Sequence, residues 1–315
     1  REGPQAKRWL GTLWTPPSGL TKTGTPRFCY WYHKTAIGNA VGSDVKTDIT
    51  WHGDRAANFI NKMVNRMGEP VIRSAMYQAM KIMGQQFVLG RTIDEALKRS
   101  RPLFNKGYTY SYDMLGEAAR TEDDAMRYHG AYAQAIAAIA QSSNKPDIRE
   151  NPGISVKLSA LHPRYEVSHR DEMLPQMTSR TLQLARAAKD ARIGFNIDAE
   201  EQDRLDLSLE VIEAVLSDDS LADWDGFGVV VQAYGPRAGY VIDWLNELAT
   251  RLDRKIMVRL VKGAYWDTEI KRAQVMGLDG FPVFTRKANT DVSYISCAHK
   301  LLAYRDRIYP QFATH

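Results

Sequence analysis

The stretch Lys255-Ile-Met-Val-Arg-Leu-Val-Lys-Gly-Ala-Tyr-Trp266 holds residue types that a purely structural strand does not need. It reads as a buried aliphatic strand with Arg259 and Lys262 set inside it, running into Gly263, Ala264, Tyr265 and Trp266. A cation withdrawn from water without a partner costs far more than a strand gains by forming. Two cations before a small-residue bend and two large aromatics suit a pocket for something anionic and flat. The planar fork of Arg259 matches a phosphate or a polar heteroaromatic ring, and it would equally serve as an ion-pair partner for Asp198. Tyr265 and Trp266 either cover such a ligand or start the next helix as core.

Other polar residues close other strand-like runs. Lys157 follows Ile154-Ser-Val and precedes Leu158-Ser-Ala-Leu-His-Pro. A lysine that snorkels to the surface fits there too, but the surrounding strand suits burial and favours a site role. Asp198, in Phe195-Asn-Ile-Asp-Ala-Glu, is either a cap or salt-bridge residue or a neighbour of Lys157, each then favouring the other's charged form. His162, before Pro163, reads as a loop residue. The pairs Asp123-Asp124 and Glu200-Glu201 read as helix starts, where negative charge favours the macrodipole. Thr285-Arg-Lys-Ala-Asn-Thr290, with Lys287 and two threonines ahead of a helix, suits either a phosphate cradle or a solvated basic turn.

The elements that position these residues form a rhythm from residue 69 onward. Residues 69–86 and 92–99 read as helices, the second opened by a capping box of Thr92 and Glu95. Strand-like runs then occupy 108–115, 153–161, 194–199, 226–233, 255–262 and 307–312, separated by helical patterns at 121–140, 171–191, 204–216, 240–252, 267–275 and 290–303. Single-file alternation indicates βαβ units and a parallel sheet. A doubly wound sheet and a β/α barrel both fit, but no G-x-G-x-x-G turn follows an early strand. Polar residues instead gather at one strand end after another, from Asp113 and Glu117 to Thr314 and His315, as they do at the mouth of a (β/α)8 TIM-type barrel. The expected fold is therefore α/β, an incomplete barrel with about six of its eight strands, two strand–helix units being expected beyond His315. The division expected is an irregular or helical N-terminal segment at 1–68, with a possible short helix at 54–67, a helical lead-in at 69–107 and the barrel at 108–315.

Composition sets outer bounds. The 315 residues carry a mild net charge of +5 with no basic run, which argues against nucleic-acid binding. Cys29 and Cys297 give neither a disulfide framework nor metal-ligand spacing, so a reducing, cytoplasmic setting and no metal are expected. The longest small-apolar run, residues 131–140, is too short to cross a bilayer. The chain begins at Arg1, which suits a fragment of something longer.

Tyr110-Ser-Tyr-Asp-Met-Leu-Gly-Glu-Ala, Ile154-Ser-Val-Lys-Leu-Ser-Ala-Leu-His-Pro-Arg-Tyr, Asn196-Ile-Asp-Ala-Glu-Glu, Val231-Gln-Ala-Tyr, Arg259-Leu-Val-Lys-Gly-Ala-Tyr-Trp and Tyr309-Pro-Gln-Phe-Ala-Thr-His resemble, densely and in order, the proline dehydrogenase domain of the bacterial bifunctional proline utilisation flavoproteins. The resemblance implies a distorted β/α barrel holding FAD, oxidising L-proline to Δ1-pyrroline-5-carboxylate and passing electrons to quinone at the membrane surface, with peripheral membrane association. It implies that Gln232 and Arg259 contact the flavin, that Val261, Lys262, Gly263, Ala264 and Trp266 line the cofactor, and that Thr285, Lys287 and Thr290 handle its diphosphate and adenosine end. His315 is implied near the cofactor, with Lys157, Asp198 and Tyr265 on the substrate side. The family's Arg-Arg-Leu-Leu-Glu-Asn-Gly motif, which clamps the substrate carboxylate, does not occur in this sequence, so the resemblance implies an incomplete site. In residues 1–68, Tyr32-His-Lys-Thr-Ala-Ile-Gly and the run 44–53 resemble a phage capsid segment. The rival readings are a Schiff-base aldolase-type barrel using Lys157 or Lys262 as nucleophile, and a non-enzymatic fragment or fusion.

Overall fold

The computed structural model describes residues 27–29, 73–74, 76–80 and 88–313. The helix expected at 54–67 and the site role expected of His315 lie outside the described residues, while 73–74 and 76–80 are helical within the run 69–86.

Among the described residues seven strands form one sheet, hydrogen-bonded in chain order: β1 (Arg27–Cys29), β2 (Ser111–Leu115), β3 (Gly153–Val156), β4 (Gly194–Ile197), β5 (Phe227–Gln232), β6 (Ile256–Val261) and β7 (Ile308–Phe312). β1 pairs antiparallel with β2, with Cys29 opposite Asp113, and every later pair is parallel. Each parallel step is made by a helical crossover: α2 (Glu122–Ala140), α3 (Arg170–Asp190), α4 (Leu205–Leu216), α5 (Ala238–Arg251), then α6 (Trp266–Val275) and α7 (Lys287–Ala303) together; α1 (Ile93–Phe104) precedes β2. A doubly wound sheet reverses its strand order at a switch point. This one advances one neighbour at a time from β2 to β7, which is the winding of a partial (β/α)8 barrel.

The central strands are buried on both faces, all residues of β3, β4 and β5 being buried, whereas β7 buries only Ile308. The helices lay Ile136, Ile139, Leu184, Val211, Val215, Leu245 and Leu248 against them to make one core. Local chemistry fixes the starts. Thr121 accepts the Asp124 N–H at 3.1 Å ahead of an acidic first turn, and Thr92 accepts the Glu95 N–H at 3.2 Å. The reciprocal arm of the expected capping box lands one residue early, because Glu95 Oε2 accepts from Arg91 N–H. β3 ends at Val156, and a 3-10 turn at Leu158–Ala160 replaces the rest of the expected strand. α7 begins at Lys287, so Thr290 lies buried inside its first turn and not ahead of it.

Among the described residues β7 is the last strand of the order. Arg307 C=O accepts from Ile256 N–H and Ala313 N–H donates to Leu260, both at 3.0 Å, so the odd-numbered residues face β6. Pro310 therefore falls on the outward side, where it offers no N–H, and the Ile308 N–H is taken by the Tyr304 carbonyl at 2.8 Å.

Candidate functional site

Charged side chains from three adjacent strand ends meet in the interior. Lys157 Nζ donates to Asp198 Oδ2 at 2.6 Å and lies 3.3 Å from Asp113 Oδ2, all three side chains at most 4% exposed. Asp113 projects from β2, Lys157 follows β3, and Asp198 follows β4, anchored by its N–H to the Val156 carbonyl at 2.9 Å. The Lys157 N–H donates to the hydroxyl of fully buried Tyr132. Burial works against the Lys157 charge, but the two carboxylates outweigh it and hold its pKa well above the lysine range. Burial pushes Asp113 up to about 7, with Lys157 opposing. Asp198 Oδ1 is buried with no hydrogen-bond partner. A Schiff-base nucleophile must be a neutral amine, and this lysine is held charged.

Two glycines set the opposite walls. Gly116 and Gly263 have φ of +145° and +144°, conformations that side chains rarely adopt, directly after β2 and just after β6. The turns bring Glu117 and Tyr265 together from distant parts of the chain, the tyrosine hydroxyl donating to Glu117 Oε2 at 3.4 Å. Burial raises the Glu117 carboxyl above its ordinary range.

A belt of hydrogen bonds ties the ends of β2 to β6 into one rim. Ala118 N–H donates to Ser159 Oγ (3.1 Å), Ser159 N–H to Glu200 Oε2 (3.0 Å), Gln232 Nε2 to the Glu200 carbonyl (2.8 Å) and Ala264 N–H to Gln232 Oε1 (3.0 Å). Glu200 and Glu201 precede a helix start as expected, the 3-10 turn Gln202–Arg204 that runs into α4, and the Glu200 carboxyl is also bonded inside this belt. Burial pushes Glu200 from 4.5 up to about 7. Its protonated form therefore favours the fold, a stabilisation full below about pH 4.5 and lost as pH rises through 7. Glu200→Gln keeps the acceptor for Ser159 without the buried charge, and is expected to raise stability at pH 8 by up to about 3 kcal/mol, with little change at pH 4.5. Thermal melts at the two pH values check this, and an equal gain at both would refute it.

Arg259, from β6, points to the inner face, its Nη1 donating to Ser155 Oγ (3.1 Å) and its Nε to Gln311 Oε1 (3.2 Å). Burial depresses its pKa, opposed by Asp198 and Asp113. It lines a cavity of about 270 Å³ with Tyr110, Ser111, Asn196, Met257 and Gln311. Val261 packs with Val230 and Ala313 beneath the rim. Ala264 is exposed and Trp266 is 41% exposed, its indole N–H tied to the Phe284 carbonyl at 2.8 Å. Lys262 and Lys287 both pair with Asp291, at 2.6 and 2.7 Å, and Thr285 is exposed beside them. The expected residues thus fall into a buried group of Lys157 and Asp198, Arg259 on the inner face below the strand ends, a rim of Gln232, Gly263, Ala264, Tyr265 and Trp266, and a basic edge at the start of α7. His162 braces its loop, Nδ1 accepting the Arg164 N–H at 3.0 Å. Asp113 and Glu117 were expected only as polar strand ends at the barrel mouth, with no role assigned, and Ser159 was not singled out. Asp113 had a signal in the sequence, a lone charge within the apolar run Tyr110-Ser-Tyr-Asp-Met-Leu, but Ser159 had none. Among the described residues no three potential metal ligands cluster.

Sheet winding and a charged cluster at the C-terminal strand ends define an α/β barrel-type enzyme site. The Proline dehydrogenase family model matches residues 96–315, and the chain belongs to that family. A Phage capsid protein model matches residues 3–68. Bifunctional protein PutA of Klebsiella aerogenes is 55% identical over 256 residues, which is 81% of this chain and 20% of that protein. Proline dehydrogenase 1 of Bacillus subtilis (strain 168) is 28% identical over 185 residues, 58% of this chain and 52% of that protein. The crystal structure of a Bradyrhizobium japonicum Proline Utilization A variant is similar at a TM-score of 0.71 and 57% identity, covering 81% of this chain and 26% of that one. The chain thus spans about a fifth of the length of its PutA relatives.

Proposed function

We propose that residues 108–315 serve an FAD-dependent oxidation of L-proline to Δ1-pyrroline-5-carboxylate, with hydride transfer to the flavin and electrons passed on to quinone at a membrane surface. Family membership supports the substrate. The observation that carries the reading is the buried Asp113–Lys157–Asp198 cluster with its unpartnered Asp198 oxygen. A zwitterionic amino acid requires both a cation for its carboxylate and an acceptor for its ammonium, and the cluster supplies both.

The residues present also fit the cofactor. The exposed Trp266 indole and Ala264 stand on the rim just past the Gly263 bend, with the Arg259 guanidinium on the inner face. Gln232, Arg259, Val261, Gly263, Ala264 and Trp266 would hold the ring system, and Lys262, Thr285, Lys287 and Thr290 its diphosphate end. FAD supplies a two-electron hydride acceptor. The protein positions the donor carbon, and the Arg259 charge favours negative charge arriving beside it. Lys157 holds the proline carboxylate, and Tyr265 packs on the substrate ring.

Residues 69–107 stand in this proposal as the lead-in to the barrel, and 1–68 as a preceding segment whose β1 pairs with the first barrel strand. Among the described residues no helix is long and apolar enough to cross a membrane, so contact with a membrane-held quinone would be peripheral. The test is reconstitution with FAD: flavin absorbance that co-purifies, bleaches on adding L-proline and returns with a soluble quinone is expected. A colourless protein after reconstitution would overturn the reading.

A further inference from the structure

We propose that Asp113 is a positioning residue that acts through Lys157, storing the proton that the substrate nitrogen gives up; this rests on the proline oxidation proposed above. At neutral pH the ring nitrogen of L-proline is a secondary ammonium, whose lone pair is not free to form a C=N bond. One N–H proton must leave to the protein. The nitrogen lone pair then closes the double bond as C5 loses hydride to FAD, the oxidant, leaving the protonated imine.

The geometry provides a path for that proton. Asp198 Oδ1 is buried and unpartnered, so it is an open acceptor. Asp198 Oδ2 sits 2.6 Å from Lys157 Nζ, and the same nitrogen lies 3.3 and 3.4 Å from the two oxygens of Asp113. As Asp198 takes the proton, Lys157 gives one to Asp113 and recovers one from Asp198. Lys157 and Asp198 end as they began, ready for the next substrate, and only Asp113 has changed. Asp113 is the member suited to hold the proton, because its longer contact with the ammonium loses less on neutralisation than the 2.6 Å bond of Asp198.

The surroundings agree. Asp113 faces Lys157 from β3, Asp198 beyond β4, Glu117 from its own loop, Tyr132 from α2 and Arg259 from β6, while Cys29 is its register partner in β1. Burial, reinforced by the Asp198 and Glu117 charges and opposed by Lys157, pushes Asp113 up to about 7, a value matched to taking and releasing a proton at neutral pH.

Asp113→Asn preserves shape and an acceptor for Lys157 but takes no proton. In the FAD-reconstituted chain, single-turnover bleaching by L-proline at pH 7 should slow on the order of a hundredfold, and the neutral limb of its pH profile should vanish, with flavin content unchanged. In the FAD-free chain, carbon-13 NMR of aspartate carboxyls should show one group titrating near pH 7, absent from Asp113→Asn. Bleaching of parent and variant with the same rate and pH profile overturns the inference and leaves proline oxidation standing. Bleaching of neither overturns both. Should Asp113→Asn fail to fold, the parent spectrum decides with Asp113→Glu as the assigning variant: no aspartate titrating between about pH 6 and 8 overturns the proposal.

Discussion

Lys157→Met is expected to cost on the order of 3–5 kcal/mol of stability at pH 8, the range for breaking a buried ion pair by removing one partner. Methionine nearly matches the aliphatic length of lysine, so little of the loss comes from packing. What remains is two carboxylates, Asp113 and Asp198, facing a space with no ammonium between them, both buried. Each can escape only by protonation, and burial already drives Asp113 in that direction. The loss should therefore shrink on acidification, with most stability regained by pH 5. Urea unfolding at both pH values separates this from a packing defect, which would cost the same at each. Adding Asp113→Asn and Asp198→Asn should restore most of the stability at pH 8 without restoring turnover. If the triple variant stays as unstable as the single one, the cluster is not the origin of the effect.

How far this site was legible in the sequence depends on what kind of order each part needs. Strand–helix alternation survives in local periodicity, so all six parallel strands and their crossover helices stand within a few residues of where the pattern puts them. Lys157 and Asp198 were legible as charges in runs suited to burial, and consecutive winding makes their strand ends neighbours. Asp113 carried the same signal one strand earlier, a lone charge in an apolar run, and the same consecutive winding sets it beside Lys157. The belt was illegible for a different reason. Ser159 and Glu200 act through a backbone N–H and a 3-10 turn that no periodicity announces, so a carboxylate that precedes a helix start is also buried in the rim. Likewise the basic run at 285–290 reads as free charge, whereas Asp291 closes on both Lys262 and Lys287 once α7 begins at Lys287.

Gly263→Ala should be the most damaging one-carbon addition near the rim, costing about 3 kcal/mol or more from backbone strain and overpacking together. Its φ of +144° lies where L side chains are rarely found. The added Cβ would also stand 2.3 Å from the ring of Tyr234. That ring has little freedom to retreat, being 3% exposed, with the Tyr234 N–H bonded to the Lys262 carbonyl and the Tyr234 carbonyl accepting from Phe284 N–H. Gly277→Ala is the internal control: φ is +64°, with nothing within 4 Å, so only the left-handed backbone cost of about 1–2 kcal/mol applies. The difference between the two melting curves isolates the ring contact, and Tyr234→Ala should make Gly263→Ala milder. Equal losses for Gly263→Ala and Gly277→Ala would reject the steric argument. The functional consequence follows from what the bend aims. It delivers the Ala264 N–H to Gln232 and the Tyr265 hydroxyl to Glu117, so a displaced bend loosens the rim against both. Gly263→Ala should therefore weaken flavin retention along with stability, whereas Gly277→Ala should leave flavin retention intact.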